Sequence, residues 1–376
     1  MEAARDGSYR APTHSTRGHL RLRRGRPKWL LRSCRAMLML IVWPAPGSLG
    51  AGQISLISVP GMARPVKPWL SIAEQIALLR RRGMEIPDDD LAKQWLSAVG
   101  YYRLSGYWYP FRGFDHTGAQ RRTSTFLPGT TFDEVAGLYE FDRRLKALTN
   151  DALGKVEVAF RSQIGHRLGE ISPLAHTNPR HFRPTFPHQQ WWNTAQRRID
   201  RARGRDEFVD HHDIVYGGNL PIWVLTDVLD FADLSKLYAG LTAHDQGAIA
   251  EQFAVTMPPD ASKSQRQRWA RKPPLANWLE HLSVVRNICA HHGRLWNRQL
   301  TPIGTSTRIR HLPVFTSLPA DQTQIERVYG TICVLSYLLD DVTPGHSWRS
   351  EVDELVTESF THFTHHTPVE MGFPET

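Results

Sequence analysis

Apolar positions recur at helical spacing along most of this chain. Ser71-Ile-Ala-Glu74 forms a capping box, and an apolar stripe follows it until Gly83. A second helix is predicted over 88–99, with acidic residues in its first turn. Thr131-Phe-Asp-Glu134 is another capping box and opens a long helix to about Leu168.

The same period continues through the second half, while residues 171–190 are rich in Pro and His and are predicted to form a loop. Further helices are predicted over 191–208, from Pro221 to about 240, and over 244–253, 275–292, 321–341 and 348–360. Sustained strand alternation is missing from the sequence, and 41% of the residues are hydrophobic. We therefore predict an all-α bundle of roughly eight to ten helices.

An aromatic string interrupts this pattern at Tyr101-Tyr-Arg-Leu-Ser-Gly-Tyr-Trp-Tyr-Pro-Phe-Arg112. Its six aromatic residues and two arginines could stack nucleic-acid bases. The interpretation we favour is a packed aromatic hinge between helices.

Most of the positive charge lies at the N-terminus. The net charge is +9, but residues 1–61 carry ten Arg or Lys and two Asp or Glu, which leaves the remainder close to neutral. This segment is most simply a disordered extension or an over-long gene start, with translation beginning at Met62; an export signal and a basic RNA-binding arm are alternatives. Its apolar run, 36–43, is too short to span a membrane.

A second basic region lies at 261–320, with ten basic residues and the single acidic residue Glu280. Concentrated positive charge in an otherwise acidic body predicts an anion-binding surface. Its substrate-binding candidates are Lys263, Arg266, Arg268, Arg271, Lys272, His292, Arg294 and Arg298, with Trp269 available for stacking.

The predicted helix 275–292 carries the candidate chemistry. At about 100° per residue, Arg286 falls in the middle of the stripe formed by Leu275, Leu279 and Leu282, and Asn287 and His291 continue the arc toward its edge. Arginine clamps a phosphate, and histidine exchanges protons near neutral pH. The alternative is a buried arginine paired with a neighbouring acid, beside surface histidines.

Arg286-Asn-Ile-Cys-Ala-His291 resembles the R-N-x-x-x-H motif of the HEPN superfamily of helical ribonucleases. The longer string to Arg298, the aromatic string, Lys67-Pro-Trp-Leu-Ser and the stretch 132–170 resemble one branch, the Abi-like (AbiD/AbiF-type) abortive-infection proteins. The resemblance spans roughly 65–300 and implies an HEPN-like bundle with additional N-terminal and C-terminal helices.

It also implies a metal-independent endoribonuclease with no cofactor, acting in antiphage defence in the cytoplasm. Arg286, Asn287 and His291 would be catalytic, and a second subunit would complete the site in a homodimer. RNA supplies the nucleophile through its 2′-hydroxyl, and two histidines across a two-fold axis would suit in-line cleavage. RNA is the expected partner, with an antitoxin or a phage-derived activator as further candidates and no membrane association.

Two alternatives stay open. One is a catalytically inert RNA-binding or interaction module with this fold, and the other is the toxin of a toxin–antitoxin pair. We expect the segments to be 1–61, 62–125 (N-terminal helical and aromatic), 126–345 (HEPN-like) and 346–376 (C-terminal helix and tail). His211-His212-Asp213 and the tail histidines lack convincing metal-ligand spacing, and Cys289 is expected to be a structural thiol.

Overall fold

The computed structural model describes residues 66–115, 121–258, 260–271, 273–304, 312, 315 and 326–375. The chain divides into two units, Met1–Val66 and Lys67–Thr376. The expectations for 1–61, for Lys272 and for a helix start near Asp321 fall outside the described residues. The fold that follows is that of Lys67–Thr376.

Helices dominate the described residues and confirm the all-α prediction. They are α1 (Ile72–Arg81), α2 (Asp89–Ala98), α3 (Tyr101–Trp108), α4 (Phe132–Ile171), α5 (His188–Ala202), α6 (Glu207–Tyr216), α7 (Ile222–Val228), α8 (Phe231–Gly240), α9 (Ala243–Glu251), α10 (Lys263–Arg271), α11 (Pro274–Ala290), α12 (Val328–Val342) and α13 (Trp348–Phe360). Among these residues, no helix is both long enough and apolar enough to cross a bilayer.

A small hairpin follows α3, although the sequence showed no strand alternation. Strands β1 (Arg112–Phe114) and β2 (Arg122–Phe126) pair antiparallel, with Arg112 opposite Phe126 and a register shift before Phe114 meets Arg122. The pattern did not predict them, because β1 has only three residues and β2, Arg-Thr-Ser-Thr-Phe, has a single apolar residue.

The 40-residue α4 is the central helix of the bundle and packs against α3, α7, α11, α12 and α13. Thr131 caps it by accepting from the Glu134 N–H, as predicted. Glu134 does not return the bond as a capping box requires. Its carboxylate instead accepts from the backbone N–H groups of Thr364 and His365, at 2.7 and 3.1 Å, so the helix start also anchors the C-terminal segment.

Two glycines of α4 let α7 approach closely. A Cβ on Gly165 would lie 3.1 Å from the Trp223 Cα, and one on Gly169 would lie 3.2 Å from the Trp223 ring. From this position α7 presents its Thr226 carbonyl, together with that of Leu229 just beyond the helix, to the Arg161 guanidinium of α4. The contact therefore fixes a charged group on the side of α4 that faces α11.

Most predicted helices are confirmed to within a few residues, but helices α3, α6 and α10 were not predicted. The predicted helix 191–208 is wrong, because α5 ends at Ala202, Gly204 adopts φ +69° and a new helix starts at Glu207. Two short 3-10 turns, Ala175–Thr177 and Pro179–His181, interrupt the predicted loop.

Candidate active site

Helix α11 ends in a left-handed turn at the motif histidines. His291 is the C-cap, His292 adopts φ +54°, and the N–H groups of His292 and Gly293 donate to the carbonyls of Cys289 and Ile288 at 3.1 and 2.8 Å. This pair of bonds is a Schellman motif, which usually places glycine where His292 stands. The helix therefore stops at the motif and leaves His291 at its open end.

The structure corrects the expected orientation of Arg286. Leu275, Leu279 and Leu282 are buried as expected, but Trp278, Val285 and Ile288 are buried too, on the side away from Asn287. The buried stripe is therefore centred about 60° from Arg286. Arg286 lies at the edge of the stripe with 42% of its side chain exposed. Asn287 and His291 are exposed to solvent.

An acidic partner faces Arg286 at the limit of ion pairing. Its Nε lies 4.0 Å from the Glu157 Oε2 of α4. Glu157 is already bound by Arg161, which donates to its Oε1 and also to the Leu229 carbonyl at 2.9 Å. Because Arg161 neutralises Glu157 more closely, the charge of Arg286 is only loosely compensated and remains available to an anion.

A buried carboxylate holds the segment that follows the motif. Asp142 of α4 has no exposed surface and accepts from the N–H groups of Leu295 and Trp296, at 3.0 and 2.7 Å. The Tyr107 hydroxyl donates to it at 2.6 Å, and the Lys146 ammonium lies 3.0 Å away. Asp142 therefore joins α3, α4 and the chain beyond His291.

Sequence reasoning missed both Asp142 and Glu157 as contributors to this site. One signal for Asp142 was available. It is an acidic residue on the apolar face of α4, beside Leu138, Phe141 and Leu145, and its partner Lys146 lies four residues further on. The Glu157–Arg286 contact is formed between distant parts of the chain and has no local pattern.

The aromatic string divides between core and surface. Tyr107, Trp108 and Phe111 are buried, as the packed interpretation predicts. The hinge itself is wrong, because Tyr101–Trp108 forms helix α3. Burial and the Asp142 carboxylate raise the pKa of Tyr107. The rings of Tyr102 and Tyr109 are exposed.

The N-terminal part of the string touches the end of the motif helix. The Arg103 guanidinium donates to the His292 carbonyl at 2.7 Å. The Arg294 guanidinium donates to the Gly106 carbonyl, and burial lowers its pKa. Arg294 therefore has a structural bond in addition to its predicted contact with substrate.

The predicted basic patch lies at the other end of α11. Helix α10 carries it, directly before the first turn of α11, and the side chains of Lys263, Arg266, Arg268 and Arg271 are exposed. A helix of 17 residues is roughly 25 Å long, so the first turn of α11, which follows the patch, is separated from His291 by about that length. Arg298 is exposed and lies on the His291 side, where its Nη1 is 3.5 Å from the position of a Cβ on Gly293.

Two further groups of the motif helix serve the interior. The His281 Nδ1–H donates to the Thr301 carbonyl at 2.6 Å, its Nε2 accepts from the Thr331 hydroxyl at 2.8 Å, and burial lowers its pKa to about 4. Burial raises the pKa of Cys289 to about 12, as expected of a structural thiol. Within the described ranges, no cluster of three or more His, Cys, Asp or Glu is arranged to hold a metal ion.

The family model described as Abi-like protein matches residues 94–297, just over half of the chain. The chain belongs to the Abi-like protein family. The match runs from α2 through Arg286, Asn287 and His291 to the segment held by Asp142. Membership of the Abi-like family suggests a role in abortive-infection defence. Comparison with curated proteins and with solved structures gave no match.

Proposed function

We propose that this Abi-like protein is a metal-independent endoribonuclease of the HEPN superfamily and AbiD/AbiF type, acting in abortive infection. The observation that carries the proposal is the placement of Arg286, Asn287 and His291 on the last two turns of α11, with Asn287 and His291 exposed and Arg286 only loosely paired. Attack by a 2′-hydroxyl on the adjacent phosphate requires a cation that binds the phosphate and an accessible side chain that exchanges protons. Arg286 and His291 are side chains of these two kinds.

In this reaction the 2′-hydroxyl loses its proton to a base as its oxygen bonds to phosphorus. The bond from phosphorus to the 5′-oxygen breaks, and that oxygen takes a proton from an acid. Arg286 stabilises the charge that develops on the non-bridging oxygens, and Asn287 orients the phosphate. The products are a 2′,3′-cyclic phosphate and a 5′-hydroxyl.

The base and the acid act on opposite sides of the phosphate, so we propose that two copies of the chain each contribute one His291. The exposed side of α11 supports this arrangement. Val284 is 39% exposed and lies with Glu280, Asn287 and His291 along one solvent-facing ridge, where a second copy of the helix could pack.

The test is incubation of the purified chain with single-stranded RNA in EDTA, beside a His291→Ala variant. We expect cleavage by the wild type alone, with cyclic phosphate ends. Cleavage that requires a metal, or that survives in His291→Ala, would contradict the mechanism. RNA retention without cleavage by either protein would favour the inert binding module.

The shared site is tested separately by unfolding and refolding wild type and His291→Ala together. If each site needs both histidines, an equal mixture retains about a quarter of the wild-type activity, because only wild-type pairs are active. Independent sites would retain about half. Arg205→Gln, an exposed substitution between α5 and α6, serves as the mixing control and should leave activity unchanged.

A further inference from the structure

Three arginines around α3 and the hairpin have different hydrogen-bond partners from four arginines of α4 and α5. On α4 and α5, Arg143, Arg161, Arg167 and Arg198 each meet a carboxylate. Around α3 and the hairpin, arginines donate to carbonyl oxygens instead: Arg103 to His292, Arg294 to Gly106 and Arg122 to Arg112. A carbonyl orients a guanidinium but leaves its net charge uncompensated, so positive charge accumulates here.

Several of these charges lie close enough to affect one another. Burial lowers the pKa of Arg294, and the charges of Arg298 and Arg122 lower it further, while the charge of Asp142 opposes them. Residues 101–126 contain four arginines and the single acidic residue Asp115. The Asp142 carboxylate is buried and already accepts hydrogen bonds from Tyr107, Leu295 and Trp296. Such a cluster is suited to an external anion.

Exposed aromatic rings lie among these charges. Tyr102 is 91% exposed, Tyr109 48% and Phe114 53%. The Arg122 guanidinium stacks 4.4 Å from the Phe114 ring centroid and 5.6 Å from that of Tyr109. Rings held beside guanidinium groups while still exposed are the surfaces on which unpaired bases stack.

The two tyrosines share one side of α3. They are seven residues apart, which places them on the same helical face at a separation of roughly 10 Å along the axis. Gly106 lies between them and has no side chain, and the space where its Cβ would stand is open, with no other atom within 4 Å. Two exposed rings at this separation can each receive one base of a single strand, because every base has a face that stacks on an aromatic ring.

We infer that Tyr102, Arg103, Tyr109, Phe114, Arg122 and Arg298 form a binding surface for single-stranded RNA that leads to His291. We call it the arginine–aromatic surface. Arg103 joins it to the motif through the His292 carbonyl, one residue from His291. The claim that the bound RNA leads to His291 rests on the proposed ribonuclease function. The claim that this surface binds RNA does not depend on cleavage.

The test measures RNA affinity in full-length His291→Ala protein, so that cleavage does not enter the result. A fluorescent single-stranded RNA of mixed sequence is titrated by anisotropy against this protein and against versions that also carry Tyr102→Ala, Tyr109→Ala or Arg298→Gln. We expect each tyrosine change to weaken binding about tenfold. Arg298→Gln should lower the slope of log affinity against log salt by about 0.7.

Matched controls are Tyr216→Ala on α6, also an exposed tyrosine, and Arg205→Gln, also an exposed arginine. Neither should change affinity or salt slope. Because the Tyr102 ring is almost entirely in solvent, its removal leaves the fold intact, and the thermal midpoint of each variant checks this.

Tight RNA binding that the surface variants leave unchanged would overturn the inference even if wild type cleaves RNA. Equal affinity for a duplex of the same sequence, or equal competition by poly-glutamate, would also overturn it, because neither ligand offers unpaired bases. Loss of binding in the tyrosine variants without any wild-type cleavage would support the surface and remove the proposed enzyme activity.

Discussion

At the residue scale, His292 adopts a left-handed backbone conformation, which lowers the stability of the fold, directly after the candidate catalytic residue His291. A side chain at positive φ is strained by roughly 1 kcal/mol relative to glycine. We expect His292→Gly to raise the free energy of unfolding by about 0.5–1 kcal/mol, measured by urea denaturation. The bond from Arg103 goes to the backbone carbonyl and is retained.

The matched control is Ala290→Gly, in the last helical turn. It should lower stability by about 1 kcal/mol, because glycine is a poor helix former. If both glycine variants destabilise the chain, the strain at His292 is not relieved by substitution and the prediction is wrong.

Two buried histidines predict acid sensitivity. Burial lowers the pKa of both His281 and His176 to about 4. An ordinary histidine titrates near 6.5, so between about pH 6.5 and 4 the unfolded chain binds protons that the folded chain does not. Stability is therefore complete above about pH 6.5 and falls as the pH decreases through this window.

Each of these histidines should contribute roughly 1 kcal/mol per pH unit near pH 5. We expect His281→Gln to be less stable at pH 7 but to show a shallower pH dependence of unfolding free energy, measured by urea denaturation from pH 7 to 4.5. Ile214→Ala, which truncates an exposed side chain that does not titrate, should leave the pH dependence unchanged. An unaltered slope in His281→Gln would contradict the assignment.

At the scale of elements, Asp142 connects three segments that the sequence separates widely. Asp142→Asn removes the charge that Lys146 faces in the interior and replaces an acceptor with an amide. Breaking a buried ion pair at one partner costs about 3–5 kcal/mol, and we expect a loss of unfolding free energy in that range. Urea denaturation measures it.

Replacing both partners distinguishes the charge from the hydrogen bonds. Asp142→Asn combined with Lys146→Met no longer buries an unpaired ammonium and should recover part of the lost stability. No recovery would mean that the bonds to Leu295 and Trp296, rather than the pair, carry the effect.

The close packing of α7 against α4 predicts opposite effects on stability for two glycine substitutions in α4. Gly165→Ala places a methyl 3.1 Å from the Trp223 backbone and should destabilise the chain by about 1–3 kcal/mol. Gly154→Ala in the same helix meets nothing within 4 Å and should stabilise it by about 1 kcal/mol. Thermal unfolding measures both, and the same sign for both would contradict this packing.

At the scale of the whole molecule, the sequence predicted what local patterns encode. Spacing and capping residues alone predicted several local features, namely the caps at Ser71 and Thr131, helix α13 and the end of α11. The position of Arg286 at the edge of the buried stripe could not be predicted from the sequence, because it depends on which neighbours bury Trp278 and Val285. Glu157 and the bonding of Glu134 to the C-terminal segment are long-range contacts and carry no local period.

The C-terminal segment closes the fold over parts that are distant in sequence. Met371 is completely buried, and the His366 ring packs 4.4 Å from that of Phe111 and 5.2 Å from that of Trp296. Trp296 is itself bound by Asp142, so the segment covers the chain that follows the motif. Removing it would expose this aromatic cluster to water.

We therefore expect deletion of residues 362–376 to lower the free energy of unfolding by at least about 3 kcal/mol, the scale of emptying a buried side-chain site. Deletion of 374–376 alone should change it by less than about 0.5 kcal/mol, because Pro374 and Glu375 are exposed. Urea denaturation followed by circular dichroism measures both. Equal stability of the two truncated chains would show that the segment does not contribute to the core, and that Asp142 holds the chain beyond His291 without it.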